Sequence, residues 1–363
     1  MTRARATLVD ASRPGVYHLV SRCVRRAFLC GGAAEHRRQW VETGLRTQAG
    51  AFAIEVLTFS VLSNHMHVVV RTDPDRAQAW SAREVVERWA RLFPRLNPRT
   101  REVEGWDDAE LERKANDPRW VAKRRERLAS VSWFMRLLKE RIARRANRED
   151  GVTGHFWEGR FTSVPLLDDA AVLSCMAYVD LNPVRAGMAP TPEASAHTGV
   201  QRRIEARQAH RKAAALCAQA ECTADTKPAA SIDPQLLTQA RGRRARGPEH
   251  GLWIAPMLRA TNGHFDLDHY LDLVDHTGRM LVSGKRGAIP PHLRPILERL
   301  QIDVDSWLAV MLAHGKFLGT AVGALAHLIV EAARRGVRWI AEKTHIHRDR
   351  RNGPSRAPRP APA

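Results

Sequence analysis

The sequence predicts an α+β fold: an antiparallel, ferredoxin-like sheet with helices on one side. Two observations lead there. Period-two apolar runs bounded by turn residues alternate with runs whose apolar residues lie three and four apart. Within residues 13–188 these elements follow the order β-α-β-β-α-β-α, which suits such a sheet.

The first strand is GVYHLVSR (15–22), with Tyr17 and Leu19 on one face and His18 and Val20 on the other. His18 reads as a packed or partly exposed sheet residue rather than a ligand. Residues 35–48 carry Trp40, Val41 and Leu45 at helical spacing and close at Gly50. Two β-rich runs follow, 54–62 and 65–71, broken by the turn pair Ser63-Asn64. Residues 73–130 are charged, tryptophan-dotted and helical, a helical hairpin insertion or a solvated lid. Regular patterning returns in an amphipathic helix through Val131, Phe134, Met135, Leu138 and Ile142. A short strand is expected within 154–164, and Asp168 and Asp169 are N-cap candidates for a helix running to about residue 181.

The remaining chain divides by composition. Residues 1–12 form a basic leader, 189–251 a basic, partly helical linker, and 252–346 a helical C-terminal domain. Helices are expected there at 265–274, 293–300, 306–313 and 319–334, and the Pro- and Arg-rich residues 347–363 should be disordered. No internal repeat is evident.

Charge narrows the partner. With 58 Lys and Arg against 39 Asp and Glu, the formal charge is +19, which favours an anionic polymer, nucleic acid before membrane. No apolar run reaches about 18 residues, so no transmembrane helix is expected. The basic leader lacks an apolar core, so no secretory signal is expected either. The odd set of five cysteines contains no CxxC pair and suggests neither a disulfide framework nor a zinc knuckle. A cytoplasmic, nucleoid-associated location follows.

One stretch resists explanation as packing. In VLSNHMHVVV (61–70), His65 and His67 are two apart in a strand and share a face, while Met66, Val68 and Val70 point the other way. Neutral imidazoles placed so can bind a divalent ion. The pair His345 and His347 has the same spacing in a basic tail with no sheet around it, and reads as a coincidence of spacing. Further on, Tyr178 and Asn182 lie four apart and share one helical face with Ser174 if the helix extends that far. Alternatively, Pro183 disfavours helical geometry before it, and Asn182 simply ends the helix. A phenol on that polar stripe is a candidate nucleophile, but a weak one near neutrality without a neighbouring metal.

Three blocks carry a family resemblance: SNHMH (63–67), GHFWEGRF (154–161) and YVDLNPVRAG (178–187). In this order they resemble the single-tyrosine HUH (IS200-like) transposases, in particular the REP-associated tyrosine transposases. The resemblance covers roughly residues 13–187, with 73–130 as extra sequence, and HYLDLVDHTGR and GKRGAIP resemble extended members of that group. It implies an HUH/Y1 transposase domain with His65 and His67 as metal ligands, Asn182 in the place of the third ligand, and Tyr178 as nucleophile. It also implies Mg²⁺ or Mn²⁺ as cofactor, single-stranded or hairpin DNA as partner, and a 5′-phosphotyrosine intermediate. It leaves a homodimer open. Arg136, Lys139, Arg144, Arg160 and Arg185 then become candidates for phosphate contacts, and Phe156 and Trp157 for stacking on an unpaired base. Residues 277–290, with Arg279, Lys285 and Arg286, read as a loop. Two rivals stand beside this enzyme: a non-catalytic hairpin DNA- or RNA-binding regulator on the same fold, and a metal-dependent phosphodiesterase that uses water.

Overall fold

The computed structural model describes residues 9–100, 102–224, 233–247, 249, 251–262, 265–281 and 325–334. Strands β1 (Gly15–Arg22), β2 (Ile54–Val61) and β3 (His65–Thr72) are followed by a two-residue hairpin, β4 (Arg95–Leu96) and β5 (Val103–Glu104), and then by β6 (Thr162–Leu166). The central sheet has four antiparallel strands in the order β2-β3-β1-β6.

Helices cover both faces of this sheet, where one covered face was expected. The cause is visible in β2 and β3, which are apolar on both sides. Met66, Val68 and Val70 belong to one core, and Leu57 and Val69 to the other. Each such side chain, buried fully, contributes roughly 1.5–3 kcal/mol, so neither face can be left wet. Against the first face pack α1 (Arg37–Ala49) and, later in the chain, the long helix that follows the insertion.

The insertion contains α2 (Pro74–Ala79), α3 (Ala82–Leu92), α4 (Asp108–Ala115) and α5 (Pro118–Leu128). Local chemistry starts each one: Asp73, Ser81, Asp107 and Asp117 cap the four helices by accepting a backbone N–H. Val85, Val86, Leu92, Val121 and Leu128 extend the first core, so the insertion is packed into the molecule. Helix α6 (Val131–Glu149), capped by Ser130, buries Val131, Phe134, Met135, Leu138 and Ile142 as the periodicity predicts.

Helix α7 (Asp169–Asp180), capped by Asp168, lies on the second face. The short α8 (Asn182–Arg185) follows directly. Expected and observed strands differ at 154–164, where only Thr162–Leu166 is strand. Gly154, at φ +114°, and the burial of Phe156 and Trp157 hold the preceding residues as a loop, tied to the end of β1 by an isolated bridge between Cys23 and Trp157.

Beyond residue 188 come α9 (Gly199–Ala224), α10 (Pro234–Arg246), α11 (Met257–Ala260), α12 (Leu267–Leu281) and α13 (Leu325–Arg334). Residues 277–281, read as loop, continue α12. Val200, Met257, Phe265, Tyr270 and Val274 share the second core with α7. A bulge at Leu57 turns its carbonyl toward the fully buried Arg203, whose Nη2 donates to Leu57 O and Ala255 O at 2.8 Å each. The expected helices at 293–300 and 306–313, Lys285, Arg286, the His345/His347 pair and the tail 347–363 lie outside the described residues.

Candidate active site at the end of the sheet

The site is assembled at one end of the sheet, where β1 finishes and β3 begins. Register places Arg22 opposite His65, Val20 opposite His67, and His18 opposite Val69. All six therefore face the α7 side. The Ser63-Asn64 turn that fixes the start of β3 is itself anchored: Cys23 N donates to Asn64 O at 2.8 Å, and Cys30 N to Ser63 O at 2.8 Å. Asn64 Oδ1 lies 2.6 Å from His65 Nδ1, orienting that ring.

Around this strand end the rings cluster. His65 and His67 meet edge to face at 4.9 Å between centroids, and His67 meets Tyr178 likewise at 5.7 Å. His18, read as an ordinary sheet residue, is part of the same cluster. Its Nε2 is 2.9 Å from His67 Nδ1, the two rings stack at 5.1 Å, and its centroid is 6.1 Å from that of Tyr178. The signal was present in the sequence as a face assignment. What it lacked was the β1–β3 register, which makes His18 and His67 diagonal neighbours.

Helix α7 supplies Tyr178, and its setting differs from the polar stripe expected. Every residue from Ala170 to Asp180 is buried, Ser174 included, and Tyr178 is 5 % exposed. Regular helix ends at Asp180, and Asn182 opens α8. The i, i+4 relation nevertheless survives, since Asn182 Nδ2 donates to Tyr178 O at 3.4 Å. Arg185 places its guanidinium 5.2 Å from the Tyr178 ring centre.

Burial dominates the electrostatics. It pushes His18 down to about 3 and His65 down to about 4, with the charge of Arg22 acting in the same direction. Both imidazoles are therefore neutral at ordinary pH. Burial also raises the Tyr178 phenol above its usual range. The side-chain hydrogen bond to Asn182 and the charges of Arg185 and Arg22 oppose that rise without cancelling it.

Among the described residues no group of three or more His, Cys, Asp or Glu side chains is placed to hold a metal ion. The donor chemistry of the expected set is nonetheless suitable. His65 is a neutral imidazole, coordination by His67 would use Nε2 because Nδ1 faces His18, and Asn182 would offer its amide oxygen while its NH₂ bonds to Tyr178 O.

The candidate DNA-contacting residues fall into two places. Arg185 is exposed beside Tyr178. Arg136, Lys139, Trp157 and Arg160 line a groove of about 590 Å³ between α6 and the 154–161 loop. Arg144 is exposed on the same helix and pairs with Glu140 at 2.6 Å. Trp157 is 7 % exposed and donates its indole N–H to Lys139 O at 2.9 Å; Phe156 is buried beside it. Both rings are thus held in the core, the setting that also shapes the loop. Arg22, which stands opposite His65, carries no motif signal and was not singled out by sequence.

No family model matches the chain, and no curated protein matches it. One solved structure, a REP-associated tyrosine transposase bound to a REP hairpin, is similar over 56 % of this chain and 86 % of that one, with 13 % sequence identity and a TM-score of 0.34. Among the described residues no helix is long and apolar enough to cross a membrane.

Proposed function

We propose that the protein is an HUH-type transposase: a metal-dependent endonuclease and strand transferase acting on single-stranded or hairpin DNA. The observation that supports this best is the packing of His18 and His67 against Tyr178, with His65 against His67 and the charges of Arg185 and Arg22 acting on the phenol. The strand order β2-β3-β1-β6 fits the ferredoxin-like plan of that reading.

In this reaction Tyr178 Oη attacks a phosphodiester phosphorus. The bond from Oη to phosphorus forms, the bond from phosphorus to the 3′ oxygen breaks, and the phenolic proton ends on that oxygen as a 3′-hydroxyl. The product is a 5′-phosphotyrosine, which a second 3′-hydroxyl can resolve without ATP. Mg²⁺ or Mn²⁺ held by His65, His67 and Asn182 would supply electrostatic stabilisation of the phosphate oxygens. The chain's own contributions are separate from the ion: Arg185 and Arg22 attract the phosphate, and the packed rings fix Tyr178.

Replacing Tyr178 by Phe tests the assignment directly. With end-labelled hairpin DNA and Mn²⁺, the wild-type protein should form an SDS-resistant adduct, and Tyr178→Phe should form none while still binding DNA. An adduct that persists in Tyr178→Phe rules the assignment out. The burial of Tyr178 and its raised phenol favour one alternative, a non-catalytic hairpin-binding regulator, which would bind without metal and give no adduct. A phosphodiesterase using water would give cleaved product without adduct.

A further inference from the structure

The inserted helices carry a feature that a solvated insertion does not need. Arg124 and Arg127, on consecutive turns of α5, are held against tryptophan faces. The Arg124 guanidinium lies 4.3 Å from the centre of Trp120, and that of Arg127 lies 4.2 Å from the centre of Trp133 on α6. Trp89, from α3, stands between them, with centroids 6.3 Å from Trp120 and 6.2 Å from Trp133. The result is a ladder of alternating cations and rings across three helices.

The other arginines nearby serve as a control. Arg83 pairs with Glu87 at 2.8 Å, Arg88 pairs with Glu84 at 2.7 Å, and Arg125 donates to the carbonyls of Ala77, Gln78 and Trp80. Arg124 and Arg127 form no ion pair among the described residues, and Arg124 Nε is buried with no hydrogen-bond partner. Desolvation and the charge of Arg127 act against the charge of Arg124, and Asp117 offsets them only in part. Two half-buried guanidiniums kept adjacent, with no carboxylate in ion-pair contact among the described residues, make a site for an anion, and the half-buried rings of Trp120 and Trp133 make it one for a polymer that carries bases as well as phosphates.

The ladder also leads somewhere. Trp133 and Arg136, 5.0 Å apart, open the groove that continues along Lys139 to Trp157 and Arg160. Trp157 bridges Cys23, the residue after Arg22, which faces His65.

We propose that the ladder of Arg124 and Arg127 with Trp120, Trp89 and Trp133 binds the backbone and bases of single-stranded DNA leading to the site. The proposal rests on the DNA-directed reading above and not on its chemistry. A strand laid along it places two phosphates on the arginines and lets an unpaired base rest on an exposed ring edge.

The test is binding of a fluorescein-labelled oligodeoxythymidylate, without divalent ions, across a salt series. For single strands each neutralised phosphate contributes a slope of about 0.7 in log K against log salt, so Arg124→Gln/Arg127→Gln should lower the slope by about 1.4. Arg83→Gln/Arg88→Gln should leave it unchanged. An unchanged slope in a double variant that still melts cooperatively overturns the proposal, as does a change confined to duplex DNA. If the double variant fails to fold, the wild-type protein is photocrosslinked to a 5-iodouracil oligonucleotide. Crosslinks at Trp120 or Trp133 support the ladder, and crosslinks found only elsewhere overturn it. Failure of the wild-type protein to form an adduct with Mn²⁺ would count against the catalytic reading alone, because none of these measurements uses the reaction.

Discussion

His18 Nε2 lies 2.9 Å from His67 Nδ1, across adjacent antiparallel strands and with the rings nearly parallel at 19°. The contact engages His67 Nδ1 within the protein and fixes the orientation of the ring. His18→Ala should weaken Mn²⁺ binding by about 10–100-fold, measured by calorimetry, and slow adduct formation in parallel. His18→Gln, whose amide can reach the same nitrogen, should recover part of both. Equal Mn²⁺ affinity in wild type and His18→Ala would reduce the contact to packing.

Glu42 links helices that lie far apart in sequence. Its carboxylate is 2.8 Å from His197 Nδ1 and 2.5 Å from Arg202 Nε, joining α1 to the start of α9 around the edge strand β2. These partners overcome the cost of burial and hold it down to about 2, against an ordinary value of 4.5. A depressed carboxylate stabilises the fold fully above its unfolded value and loses that contribution as pH falls from 4.5 toward 2. Glu42→Gln should therefore be less stable in urea at neutral pH, and its stability should fall less steeply below about pH 4.5. Parallel acid limbs for the two proteins would disprove the linkage.

Tyr270→Phe probes a buried hub. Asp180 accepts from Thr58 Oγ1 at 2.6 Å, from Val200 N at 3.1 Å, and from the Tyr270 hydroxyl. Removing that hydroxyl should cost about 1–3 kcal/mol, read from the urea midpoint. Because Asp180 is two residues from Tyr178, adduct formation should also slow. A stability loss with no kinetic effect would show that the hub does not govern the tyrosine.

Gly199→Ala should be destabilising for a steric reason. A methyl group at this position would overlap Thr58 Oγ1, where α9 meets β2. Overpacking of this kind typically costs about 1–3 kcal/mol, and thermal melting should show it. An unchanged midpoint would mean that the two segments separate easily.

Much of the sheet was legible because its signals are local. The pattern of GVYHLVSR gives β1 its observed bounds, Ser63-Asn64 ends β2 and starts β3, and Asp168 caps α7. Local pattern likewise places His65, His67 and Tyr178 on elements that bring their rings together. It missed His18 because the contact depends on strand register, a long-range property. It read a polar stripe on α7 because the residues that enclose the helix, such as Phe265 and Tyr270, come from about 90 residues downstream, beyond any local pattern. Residues 154–161 looked like strand because aromatic alternation in a loop that turns into the core resembles strand alternation.

The Asp180 hub has a practical meaning for anyone seeking a minimal catalytic fragment. A chain cut after residue 188 would keep His18, His65, His67, Tyr178 and Asn182, every side chain of the proposed chemistry. It would delete Val200, Tyr270 and also Arg203, the cation that favours the charge of Asp180, and so leave a buried carboxylate with Thr58 alone of those donors. The boundary drawn by the motifs is thus shorter than the boundary drawn by solvation. Trimming to the motifs would flood the helix that carries the tyrosine with water.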